Sequence, residues 1–128
     1  MSAPRSRART FKTAWFARAA RKAHVTDQDL CAAILEVAQG QADDLGGGVF
    51  KKRLNRNMHR SVILAKIGPY WLYQYLFAKK DRPNIDVQEL TAFRLLAKNL
   101  ATATDADLAR LVAAGYITDI CDDREAGL

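Results

Sequence analysis

Between Val49 and Phe77 three β-compatible runs follow one another with only short breaks, and such a stretch can be satisfied only by a sheet. Val49 to Leu54 alternates apolar and basic residues, Ser61 to Ile67 is almost wholly aliphatic, and Tyr70 to Phe77 is aromatic-rich behind a Gly68-Pro69 turn. Their spacing predicts an antiparallel meander with one face buried. Gly46 to Gly48 reads as the turn into its first strand. On both sides of the meander the apolar period changes. Trp15, Phe16, Ala19, Ala20 and Ala23 recur at helical spacing, with Arg18, Arg21 and Lys22 on the other face. Thr26 with Asp29 predicts a capping box for a second helix striped by Leu30, Ile34, Val37 and Ala38 and stopped near Gly40. The pairs Asp86/Glu89 and Thr104/Asp107 repeat the device for two further helices, the last ending at Gly115. Short strands are expected at Arg9 to Lys12 and Tyr116 to Cys121. The fold class is α/β in the α+β sense.

A length of 128 residues implies one domain with an independent core. Its expected limits are a basic flexible tail over 1–9, the domain over 10–121, and a short tail over 122–128. No apolar run approaches the ~20 residues that span a bilayer, and no secretory signal opens the chain. The acid-free N-terminus superficially mimics a transit peptide, but it already contains the start of the fold. A cytoplasmic location is expected. Cys31 and Cys121 each lack a neighbouring cysteine, and His24 and His59 lie in unrelated contexts. They read as two buried thiols in a reducing compartment, with no metal site.

Charge is segregated. Residues 1 to 24 hold seven Lys/Arg and no acid, and residues 51 to 82 hold nine against one acid, Asp81. The remainder has four basic and thirteen acidic residues. Together with a net charge of +6, this predicts one positively charged face for a polyphosphate partner such as nucleic acid.

The order GGGVFKKRL (46–54), Arg60, FAKKDRPNID (77–86) and Glu89-Leu90 resembles the RelE/ParE superfamily of bacterial toxins, on its HigB-like and RelE-like branch. The resemblance spans residues 10 to 121. It implies a compact RelE-like fold: two N-terminal helices on a small, mostly antiparallel sheet, followed by further helices. It also implies the toxin of a type II toxin–antitoxin pair, a metal-free mRNA endoribonuclease (an mRNA interferase) that blocks translation, often at the ribosome, without a cofactor. The partner implied is a cognate antitoxin, commonly of helix-turn-helix type, through which the complex can bind operator DNA. Carried residue by residue, Lys51 and Arg53 match the family's Lys-x-Lys/Arg pair, Arg60 the Arg that opens the next strand, Lys79 the Ala-Lys segment, and Lys80 a following basic position. Two departures stand out: Asn55 to His59 replaces a Gly-rich turn, and Asp86 stands where some relatives carry a tyrosine. A ParE-like gyrase poison and a basic nucleic-acid-binding module without chemistry are the alternative readings.

Metal-free RNA cleavage uses the ribose 2′-hydroxyl as nucleophile and needs proton transfer plus fixed cations for the phosphorane. Arg suits the last role through its two-pronged fork. On one strand Lys51 and Arg53 share a face while Lys52 points away, which favours that pair. With Arg60 and Lys80, which the resemblance implies, they are the candidate catalytic residues. Lys52, Arg56, His59, Lys79 and Arg82 are candidate RNA contacts. Trp71, Tyr73, Tyr75 and Phe77 sit at period two and are expected to face the N-terminal helices as core rather than stack bases. Glu89 is read as a helix cap rather than a general base.

Overall fold

The computed structural model describes residues 9–66 and 70–121. The expected Gly68-Pro69 turn and most of both tails lie outside the described residues. Ten elements follow in order: β1 (Arg9–Thr13), α1 (Ala14–Ala23), α2 (Asp27–Ala38), β2 (Asp43–Gly46), β3 (Val49–Leu54), β4 (His59–Lys66), β5 (Tyr70–Ala78), α3 (Val87–Ala101), α4 (Asp105–Ala113) and β6 (Ile117–Asp119). The strands form one sheet in the order β2-β3-β4-β5-β1-β6. Every neighbouring pair is antiparallel except β1 with β5.

Local chemistry sets the helix ends. Thr26/Asp29, Asp86/Glu89 and Thr104/Asp107 all form reciprocal capping boxes, each of which satisfies two backbone N–H groups that would otherwise lack partners. Arg9, the expected start of a short strand, pairs with Tyr70 as the first residue of β1.

The sheet is covered on both faces. On one, Phe16, Ala20, Leu30, Ile34 and Val37 from α1 and α2 pack on Leu54, Ile63, Tyr73 and Leu76. Tyr73 is fully buried, and its hydroxyl donates to the Leu30 carbonyl at 2.7 Å. On the other, Ala97 of α3 closes over Val49, Val62, Leu64 and Phe77. Leu108 of α4 seals a smaller cluster with Phe11 and Ile117.

Three features depart from expectation. The acidic segment before the glycines is itself a strand, β2, which closes a hairpin onto β3. Gly48, at φ 84°, makes this possible: a Cβ there would meet the Ala65 carbonyl oxygen at 3.1 Å and the Ala97 methyl at 3.3 Å. Second, the aromatic stripe of β5 does not keep one face. The register steps from Val62↔Tyr75 to Ile63↔Tyr73, so Gln74 has no partner in β4. That bulge inverts the alternation. Trp71, Tyr73 and Leu76 face α1 and α2, whereas Leu72, Tyr75 and Phe77 face α3. Third, Cys31 and Cys121 are not two thiols but one disulfide, and both residues are half-buried. It joins α2 to the chain just beyond β6, across 90 residues of sequence.

Candidate RNA-cleaving face

Strand alternation distributes the basic residues of β3. Lys51 and Arg53 share the α3 side with Val49, and Lys52 shares the opposite side with Phe50 and Leu54. Register then aligns two rows across three strands. One row is Arg53, Arg60 and Phe77; the next is Lys51, Val62 and Tyr75. The structure thus brings Lys51, Arg53 and Arg60 onto one patch.

Each cation is held differently. Arg60 is 8% exposed, and its Nη1 donates to the carbonyls of Asn57 (2.8 Å) and His59 (3.2 Å). Lys51 Nζ lies 3.2 Å from Asn84 Oδ1 and 3.6 Å from the Asp43 carboxylate. Arg53 is exposed and makes no ion pair or hydrogen bond among the described residues. The patch therefore offers one anchored fork, one tethered ammonium and one fork free to turn toward a ligand.

Arg82 joins them from the loop after β5. Its guanidinium sits 5.6 Å above the Phe77 ring and donates to the Asn84 carbonyl at 3.0 Å, the Tyr75 hydroxyl at 3.5 Å and both carboxylate oxygens of Glu89. The bond to Glu89 raises the Arg82 pKa above its usual value. In return, Arg82 and then the Asp86 backbone N–H hold the Glu89 carboxylate below its usual range. Glu89 caps α3 as expected, and it also fixes Arg82. A carboxylate so engaged is a poor proton acceptor.

The turn before Arg60 departs from the family's glycine-rich form but keeps a left-handed path. Asn55, Arg56 and Asn57 have φ of 54°, 54° and 70°. Asn tolerates this region, whereas Arg56 is strained there. The path aims the Asn57 carbonyl at Arg60, so the substituted turn helps hold the buried guanidinium.

The remaining candidates lie elsewhere. Lys52 is on the opposite face, bonded to Glu36 (2.8 Å) and the Gln41 carbonyl (3.0 Å). His59 is on that side as well, its Nδ1 3.1 Å from Asn55 Nδ2. Lys79 and Lys80 follow β5 and line a groove with His59 and Asn55, outside the two rows. Arg56 is exposed in the turn. Sequence reasoning missed Asn84 and Tyr75 as members of the face. The polar Gln74 inside an aromatic strand was the available hint of the bulge that turns Tyr75 toward it. Among the described residues, no three His, Cys, Asp or Glu side chains gather as metal ligands.

A basic patch of this build, on this strand order, coincides with a family match. The profile described as "RelE toxin of RelE / RelB toxin-antitoxin system" matches residues 8–120. The chain belongs to the RelE toxin family. Neither a curated protein nor a solved structure matches it. As a RelE-type toxin it has an antitoxin as its family-implied partner. Among the described residues, no helix is long and apolar enough to cross a membrane.

Proposed function

We propose that this RelE-type toxin is an endoribonuclease that cuts mRNA through the Lys51/Arg53/Arg60 face. The observation that carries the reading is the cross-strand pairing of Arg53 with Arg60, with Lys51 in the adjoining row. RNA carries its own nucleophile, so the protein's task is to hold the scissile phosphate in line and stabilise the charge that develops on it. Arg60, anchored and nearly buried, fixes a phosphate oxygen. Arg53 closes its free fork on the phosphorane. Lys51, steered by Asn84, supplies the third positive charge. Arg82, Lys79, Lys80 and Arg56 extend the charge around the end of the sheet and track the flanking backbone.

In this reading the mRNA is cut while engaged by the ribosome, in the cytoplasm. A helix-turn-helix antitoxin masks the patch and carries the complex to operator DNA. The partner's contact must be acidic or apolar, because burying uncompensated cations is costly. Primer extension on mRNA, with and without translating ribosomes, tests the proposal. Discrete cuts that disappear with Arg53→Ala support it. Intact mRNA together with DNA damage signalling in cells would show a gyrase poison instead.

A further inference from the structure

The second edge of β5 is open along part of its length. β1 accompanies β5 only as far as the Lys12–Tyr73 pair, after which the chain turns into α1. Residues 75 to 77 therefore have β4 on one side and, among the described residues, no strand on the other. A strand directs backbone N–H and C=O groups to both sides in alternation, so such an edge offers unpaired donors and acceptors. Among the described residues, no backbone hydrogen bond from a turn, loop or helix reaches residues 75 to 77.

A groove of about 460 Å³ follows this edge. One wall is the consecutive run Tyr75 to Ala78. The other is Trp15, Arg18, Ala19 and Lys22, a single stripe of α1. Past Lys22 and His59 it meets a second hollow of about 760 Å³ beside the 55–58 turn, where Ala23, Met58 and Ala78 supply apolar surface. Among the described residues, Arg18, Lys22, Lys79 and Lys80 rim the two hollows against one acid, Asp81. None of these four cations has an ion pair among the described residues.

An open strand edge, an apolar floor and a cationic rim together fit an extended peptide of alternating apolar and acidic residues. The edge pairs with its backbone, the floor takes its apolar side chains, and the rim takes its carboxylates. An RNA strand would use the cations but neither the backbone edge nor the alanine and methionine floor. The Trp15 and Tyr75 rings at the groove are moreover already stacked on each other at 5.0 Å.

We propose that this groove is a strand-addition site for an extended acidic and apolar segment of the antitoxin. The inference rests on the antitoxin partner of the reading above, not on its nuclease chemistry. Phe77 and Arg82 border both the groove and the Arg53–Arg60 row. A segment seated here abuts the RNA-cleaving face, so the same antitoxin can continue from the groove across the patch that it masks.

The test uses the full chain and a labelled peptide of Glu-Val repeats. Binding is followed by anisotropy, and amide exchange of residues 75 to 78 by NMR. Saturable binding that slows exchange at this edge is expected. The Arg18→Glu/Lys22→Glu variant should bind about ten-fold more weakly, and Lys98→Glu, on the exposed surface of α3, as wild type. Unchanged melting curves confirm folding; if charge reversal destabilises α1, Arg18→Gln/Lys22→Gln gives the same reading. The proposal is overturned by absent edge protection, by binding indifferent to the substitutions, or by single-stranded oligouridine displacing the peptide and protecting the edge itself. In cells, Arg18→Glu/Lys22→Glu should remain toxic alone yet escape rescue by the co-expressed antitoxin. A wild-type chain that is not toxic would count against the nuclease reading, while the exchange result would still decide the groove.

Discussion

Arg53 and Arg60 stand opposite one another across the β3–β4 pair on the face toward α3, yet only Arg60 is held by the protein. In the proposed function this asymmetry separates a residue that supports the fold, Arg60, from one left to contact RNA, Arg53. Replacing Arg60 with Ala should lower stability by about 1–3 kcal/mol, because a nearly buried side chain is lost and the Asn57 and His59 carbonyls lose their donor. Arg53→Ala should leave the melting temperature unchanged. Both should abolish most RNA cleavage, and thermal melts run beside cleavage assays check the distinction.

Acid should weaken the molecule in a defined window. Glu89 and Asp107 both have carboxylates held below their usual values of 4.5 and 3.8, Glu89 chiefly by Arg82 and Asp107 chiefly by the Thr104 backbone N–H. A depressed folded-state pKa means the stabilisation is fully present above the usual value. It is lost as pH falls through the folded value. Denaturant midpoints should therefore be flat near neutrality and fall below about pH 4.5. Glu89→Gln should remove part of that fall. It should also weaken RNA binding, since Arg82 loses its anchor over Phe77.

Much of this architecture was legible because it is written locally. Capping pairs three residues apart specify their own helix starts, and period-two alternation was enough to place Lys51 with Arg53 and apart from Lys52. What was hidden depends on partners distant in sequence. β2 is four residues long and acidic, and it becomes a strand only by pairing with β3. The bulge at Gln74 redirects Tyr75 and Phe77, so a stripe that reads as continuous in sequence is split between two cores. Arg82 and Glu89 form one unit across the turn into α3, which gives Glu89 a second role beyond capping.

Removing the bulge tests that explanation. Deleting Gln74 joins the Ile63–Tyr73 and Val62–Tyr75 pairs into one regular ladder and leaves Tyr75 and Phe77 on the face toward α3. Only a small loss of stability is therefore expected, against a large one for deleting Leu76, which would carry Phe77 to the opposite face. Equilibrium unfolding in urea measures both. Gln74→Ala, which keeps the residue count, should be nearly silent.

The Cys31–Cys121 bond closes a loop spanning 90 residues. Its removal by Cys31→Ser should cost about 2–4 kcal/mol, mainly by freeing the unfolded chain. The Lys51/Arg53/Arg60 face proposed to cleave RNA lies on the side of the sheet away from α2, so cleavage should persist below the lowered melting temperature. The Cys31 sulfur lies 3.2 Å from the Ile120 carbonyl in the disulfide form, so a thiol freed by reduction would have an acceptor beside it.

Arg53 is expected to act on RNA from a fold that it does not support. Single-turnover cleavage of a translated mRNA by Arg53→Ala, with the melting curve verified as wild type, addresses this directly. A rate reduced about 10²–10³-fold, the usual consequence of losing one transition-state charge donor, is the result expected. Cleavage at the wild-type rate would contradict the assignment of the Lys51/Arg53/Arg60 face.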